Sequence, residues 1–171
     1  MGFNWVEVPG MMPVLLRGLG VTVLATVVIM AISMVVALPI AFGRMSRNPL
    51  VRVPATIYVQ VLRGTPVLLQ LFYLYYVLPF AGIRMEPWTA GIIGMSLAYS
   101  AYLSEIYRAG IEAIDRGQTE AGMSLGMSHA EVMRVVVLPQ AFRIIIPPMG
   151  NIFIVLFKDT SLLSILTIRE L

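Results

Sequence analysis

The chain has 171 residues, about one domain by length, with 58% hydrophobic residues, 12% charged residues and a formal net charge of +3. Soluble domains carry roughly a quarter charged residues. A chain with half that has too little polar surface to cover itself, which points to an integral membrane protein. The same figures exclude disorder. The absence of cysteine excludes a disulfide scaffold, and His129 as the only histidine argues against a metal site.

A helix needs about 20 apolar residues to cross about 30 Å of hydrocarbon. Stretches without Asp, Glu, Lys or Arg run over 18–43, 64–83 and 87–104; a fourth, 144–168, is interrupted only by Lys158 and Asp159. They predict an all-α polytopic membrane helical bundle, one transmembrane domain over 1–171, with spans at about 14–43, 64–83, 87–107 and 144–168. A β-barrel is excluded because its strands alternate apolar and polar residues, whereas these runs are continuously apolar. The first run is too long for a signal-peptide core and no A-x-A site follows it, so it reads as retained. Between the first two spans, Val51, Val53, Ile57, Val59 and Val61 with Arg52 and Arg63 read as a helix on the membrane surface. Gly64, Thr65 and Pro66 then predict a bend.

Orientation follows from the basic residues. Arg44, Arg47, Arg52 and Arg63 lie between spans one and two, and Arg108, Arg116, Arg134 and Arg143 between spans three and four; only Arg17, Arg84 and Arg169 fall on the other side. Eight against three places the long polar segment in the cytoplasm and the N-terminus outside.

That polar segment, about 109–143, reads as two short helices with a glycine joint. The first covers about 119–125, and Gly126 suits its C-terminal cap. Ser128 with Glu131 forms a capping box that starts the second, and Pro139 ends it. Its apolar positions are Val132, Val135, Val136 and Leu138. The first helix is a docking element with Ala121, Gly122, Met123 and Leu125 at its tip, small residues allowing close backbone approach; the plainer reading is an amphipathic loop on lipid headgroups.

Glu120, Ala121 and Gly122, then three residues, Gly126, nine residues, and Val136-x-Leu138-Pro139 resemble the EAA loop of ATP-binding-cassette importer permeases. The departures are Gly122 for the second Ala and Val136 for Ile. Arg63-Gly64-Thr65-Pro66 with the following VLLQLFYLYY, and the stretch AYLSEIYR ending at Arg108, resemble the polar amino acid subgroup. So do Gly117-Gln118, Leu138-Pro139-Gln140-Ala141, Pro147-Pro148, Asn151 and the run from Lys158 through Leu162. The resemblance covers about 14–171. It implies the type I ABC importer permease fold, in the bacterial inner membrane. It implies pairing with a second permease subunit, identical or homologous, and with a cytoplasmic ATP-binding subunit dimer. An extracytoplasmic solute-binding protein would deliver a polar amino acid; nucleic acid has no part. Glu120, Ala121, Gly122, Leu125 and Gly126 become the ATPase-coupling helix. The family continues into a fifth span, so the reading expects a chain cut short at Leu171. No catalytic residue is expected, and no cofactor, ATP and Mg belonging to the partner ATPase; the chain has no G-x-x-x-x-G-K-[ST] loop.

Charges at membrane depth cost several kcal/mol and usually face a bundle interior. Asp159 could meet a substrate ammonium, favouring a basic or zwitterionic substrate, and Lys158 is a second path candidate. Neighbours on a helix point about 100° apart, so the two cannot share one face. Asn151, Ser100 and Tyr102 are polar groups that could line the path or bond between helices. Glu105 is a further path candidate, with a plainer role as a partner for Arg108 one turn on. Tyr73, Tyr75 and Tyr76 read as an interfacial or packing aromatic cluster, and Pro147 with Pro148 as a break at the head of the fourth span. Two rivals remain. An intramembrane enzyme would need paired acids, but Asp159 and Glu105 fall at opposite ends of the membrane on this topology. A membrane scaffold would dock partners and move nothing. A permease for another small polar solute is the alternative within the family.

Overall fold

The computed structural model describes residues 8–166. Arg169, residues 167–168 of the fourth predicted span and the chain's end at Leu171 lie outside them. Among the described residues every regular element is helical. Helix α1 spans Val8–Met45, α2 Pro49–Gly64, α3 Val67–Phe72, α4 Pro87–Glu112, α5 Arg116–Ser124, α6 His129–Val132 and α7 Leu138–Asp159. A π turn (Tyr73–Val77) and a 3-10 turn (Leu78–Ala81) extend α3; a second π turn (Met133–Val137) joins α6 to α7, and a 3-10 segment (Thr160–Leu166) follows α7.

Helix α4 is the centre, touching α1, α2, α3 and α7. Its packing against α1 rests on small residues. Ala25, Ile29, Ser33, Ala37 and Ala41 recur every fourth residue on α1, and all are buried. Such a stripe falls on one helix face, and its small members let backbones come close. Ser33 Oγ donates within α1 to the Ile29 carbonyl at 2.7 Å and across to the Ser96 carbonyl of α4 at 3.2 Å. On α4, Gly94 and Gly110 leave room for Leu71 of α3 and Ile145 of α7: a Cβ would lie 2.7 Å from Leu71 Cδ2 and 2.3 Å from Ile145 Cγ1, respectively.

Two helices, Met12–Met45 and His129–Leu166, are each long and apolar enough to cross a membrane, and α2 with the extended α3 forms a third such unit bent by 103°. The bend falls at Gly64, Thr65 and Pro66 as expected. The buried Gln70 bridges it, with Nε2 donating to the Leu62 and Thr65 carbonyls at 2.8 Å each. Helix α4, of 26 residues, is about 39 Å long. It carries Ser96, Ser100, Ser104, Tyr99 and Tyr107 in its buried face. Surrounded by protein, it has no need of an apolar exterior.

Expectations about the polar segment and the head of the fourth span are corrected. Pro139 does not end a helix, and Pro147 and Pro148 do not break one: α6, the π turn and α7 form one apolar unit, and α7 runs through both prolines. A proline ring clashes with the carbonyl four residues back. For Pro139 that is Val135, inside the wider π turn, which relieves the clash. The π turn also shifts the buried face by one residue. Val132 and Val137 are buried, while Val135 is 64% exposed. The fourth predicted span therefore begins well before residue 144, and the polar segment outside the long helices narrows to α5 and its flanking turns.

Candidate functional site

The short helix α5 starts earlier than expected because Asp115 caps it, Oδ1 accepting from Gly117 N at 2.7 Å. It ends in a Schellman turn. Gly126 has φ +82°, Met127 N donates to the Gly122 carbonyl at 3.2 Å, and Gly126 N donates to the Met123 carbonyl at 3.0 Å. The capping box is present: Ser128 N donates to Glu131 Oε2 at 2.7 Å, and Glu131 N to Ser128 Oγ at 3.3 Å. The Ser128 N–H bond, together with the Ser128 hydroxyl donating to the same Oε2 at 2.8 Å, holds the Glu131 carboxyl below the ordinary glutamate range. Gln140 Nε2 donates to Gln118 Oε1 at 3.3 Å, bracing α5 against α7.

Of the predicted tip residues, Ala121, Met123 and Leu125 are exposed, Leu125 by 83%, and so is Glu120 of the coupling motif. Gly122 is not at the tip. It is buried, and a Cβ there would lie 2.7 Å from Val132 Cγ2. The close approach it permits is between α5 and α6 of the same chain. The result is a rigid helical corner offering Ala121, Met123 and Leu125 outward.

The predicted path residues separate into three groups. Asp159 and Tyr102 come together with Tyr99, Val67, Ile152 and Val155 around a cavity of about 270 Å³ between α3, α4 and α7. Tyr99, missed in the sequence, donates its hydroxyl to Asp159 Oδ2 at 2.6 Å and is only 2% exposed. Its ring lies 6.1 Å from that of Tyr102. The cavity thus holds one carboxylate against two aromatic rings, an arrangement that suits a small cation. This also corrects the placement of Asp159 and Glu105 at opposite ends of the membrane. Asp159 meets α4 at Tyr99, six residues before Glu105, or about 9 Å along the helix axis.

Glu105 lies outside the cavity. It pairs with Arg44 of α1 and Arg108 of α4, and its Oε2 is 3.9 Å from Arg63 Nη1 of α2. Arg108 also pairs with Glu112. The expected pairing of Glu105 with Arg108 is therefore one contact in a cluster joining three helices. Arg63 Cζ lies 5.4 Å from the centre of the Tyr102 ring, so this cluster abuts the cavity wall.

The remaining candidates lie apart. Ser100 is buried between α2 and α4, 2.7 Å from the Tyr58 hydroxyl and donating to the Leu97 carbonyl at 2.7 Å. Asn151 and Lys158 are exposed on α7 and do not line the cavity. No acid among the described residues lies within ion-pair distance of Lys158. In the tyrosine cluster, Tyr75 and Tyr76 pack edge to face at 4.9 Å, and the Tyr76 hydroxyl donates to the Ile165 carbonyl at 2.8 Å. Tyr75 and Tyr76 thus serve packing, while Tyr73 is exposed.

Known proteins place this arrangement in context. Residues 32–170 match the family described as the binding-protein-dependent transport system inner membrane component. A probable amino-acid ABC transporter permease protein of Bacillus subtilis (strain 168), YckA, is 42% identical over 159 residues, 93% of this chain and 70% of that protein. The L-cystine transport system permease protein TcyB of the same strain is also 42% identical over 159 residues, 93% of this chain and 68% of that protein. A crystal structure described as an amino acid ABC transporter with histidines superposes with a TM-score of 0.94 at 38% identity, covering 99% of this chain and 79% of that one.

Proposed function

The chain belongs to the family of inner membrane components of binding-protein-dependent transport systems, and on that premise we propose that it is the permease subunit through which an ATP-binding-cassette importer moves a polar amino acid inward. The observation that carries the reading is the cavity in which Asp159 faces Tyr99 and Tyr102. An amino acid brings an ammonium group, and a carboxylate at membrane depth needs a compensating cation or donor. Tyr99 supplies one donor, and the substrate ammonium supplies the charge.

The drive comes from elsewhere. The outward-facing Ala121, Met123 and Leu125 on α5 and its cap form a compact apolar tip on a braced corner. We assign this tip to a groove on a cytoplasmic ATP-binding subunit, which binds ATP and Mg and hydrolyses the nucleotide. Glu120 sits in the middle of the element, not in its first turn, Gly126 terminates it, and Gly122 locks it to α6. A second permease subunit and an extracytoplasmic solute-binding protein complete the assembly. In this reading the N-terminus faces outward, the α5 corner faces the cytoplasm, and 1–171 forms one transmembrane domain. The single acid in the cavity favours a basic or zwitterionic amino acid.

Uptake by the assembled importer in vesicles tests the reading. Asp159→Asn keeps an acceptor for the Tyr99 hydroxyl and removes the charge. Uptake should fall at least about tenfold, a loss of about 1.4 kcal/mol or more of interaction, while the variant still assembles. Unchanged uptake would support a scaffold instead.

A further inference from the structure

We propose that Arg63 is the latch of the Asp159 cavity: from the last turn of α2 it stacks on Tyr102 and holds that ring in place as the cavity wall nearest the α5 corner. This rests on the reading of the cavity as the substrate path.

Tyr102 has two faces to account for. It lines the cavity together with Tyr99 and Asp159, and the Arg63 guanidinium lies over its ring at 5.4 Å. A guanidinium within about 6 Å of a ring centroid is attracted to it. Glu105, three residues on from Tyr102, steers Arg63 from 3.9 Å. That carboxylate is already engaged by Arg44 and Arg108, whose side chains are 15% and 27% exposed, whereas Arg63 is 43% exposed. Arg63 is therefore the most loosely held of three cations sharing one anion. Its position makes that looseness useful. Arg63 directly precedes the 103° bend between α2 and α3, which Gln70 spans with its bonds to the Leu62 and Thr65 carbonyls and the Thr65 hydroxyl ties to the Val61 carbonyl at 2.8 Å. Rotation of α2 about that elbow lifts Arg63 from Tyr102 at the expense of the Tyr58 bonds to Leu97 and Ser100 and leaves α4 packed on α1. A cationic group in the cavity approaches the same ring and repels Arg63, so occupancy favours release.

The chain has no cysteine, so Ile152→Cys, half-buried on the cavity wall, is its one thiol, read against the cysteine-free parent in the same importer. In the full importer in inside-out vesicles, its labelling by a membrane-impermeant maleimide reads access from the cytoplasmic side. Arg63→Ala and Tyr102→Leu should each raise the labelling rate about fivefold, the population change expected from losing one partly exposed cation–π contact. The double variant should label no faster than either single one. Tyr102→Phe keeps the ring and should label at the parent rate. Labelling unchanged in Arg63→Ala, or equally fast in Tyr102→Phe and Tyr102→Leu, would overturn the latch. Because Tyr102→Leu by itself also shortens the cavity wall, Arg63→Gln, which removes the charge and keeps most of the length, decides the question where Arg63→Ala fails to assemble; parent-rate labelling in Arg63→Gln would overturn the latch. Labelling does not require transport, so the two readings fail separately. Faster labelling in Arg63→Ala with normal uptake in Asp159→Asn keeps the latch and removes the path; the reverse pattern removes the latch and keeps the path.

Discussion

Replacing Gly122 by alanine restores the family's E-A-A sequence, yet the structure predicts that it loosens the α5 corner. The new Cβ would lie 2.7 Å from Val132 Cγ2 and 3.3 Å from Cγ1. Carbon contacts are comfortable at about 3.5–4.0 Å, so one helix must move by close to 1 Å. Val132 cannot turn aside, being 1% exposed and β-branched, hence stiff at χ1. Overpacking of this kind costs about 1–3 kcal/mol. Alanine recovers up to about 1 kcal/mol of helix propensity relative to glycine. The net loss is on the order of 1 kcal/mol, or about fivefold faster amide hydrogen exchange in α5. Val132→Ala alone also speeds exchange, by removing methyl groups worth about 0.8 kcal/mol each. The two together should cost less than their sum by about 1 kcal/mol, because the methyl added at Gly122 fills the space that Val132 leaves. Exchange in Gly122→Ala equal to or slower than the parent would refute the interlock between α5 and α6.

Further consequences follow from the same geometry. Gly126→Ala puts a Cβ on a residue at φ +82°, which costs about 1–2 kcal/mol; exchange should quicken in α5 and α6 and stay at parent rates in α3 and α4. Glu131 has its carboxyl held below the ordinary value of 4.5 by the Ser128 bonds. The capping box therefore contributes fully above that value and is lost as pH falls through the lower folded-state value. Protection of α6 should be flat from neutral pH to about pH 5 and decline below it, and Glu131→Gln should remove that decline. Glu105→Gln should lower the thermal midpoint more than Glu112→Gln, because Glu105 joins α1, α2 and α4 while Glu112, among the described residues, is within ion-pair distance of Arg108 alone, on its own helix; equal midpoints would contradict the cluster's bridging role.

Much of the fold was legible because membrane helices announce themselves by uninterrupted apolar length. The capping box at Ser128 and Glu131, the turn at Gly126 and the elbow at Gly64 are local, and a local signal is visible in sequence. What escaped was decided by neighbours distant in the chain. Pro139 reads as a helix end by itself, but a π turn preceding it accommodates the ring. Gly122 reads as an outward-facing small residue until α6 folds back and brings Val132 against it. Tyr99 gave a weak signal, sitting three residues from Tyr102 on one helix face, but its partner Asp159 is sixty residues away. The same holds for Glu105, whose helical neighbour Arg108 is visible in sequence while Arg44 and Arg63 are not. Ser100 was a reasonable path candidate by type; the approach of Tyr58 places it between helices instead.

The most direct test of the central claim uses the lack of cysteine. A single cysteine at the exposed Ala121 is co-expressed with an ATP-binding subunit bearing one cysteine in its groove, and disulfide formation is measured with and without ATP. The account predicts a cross-link whose yield changes with nucleotide, since α5 is assigned to transmit the motion of the ATPase dimer to the permease. A chain folded in the membrane whose Ala121→Cys never cross-links to any ATP-binding subunit, in either nucleotide state, would contradict it.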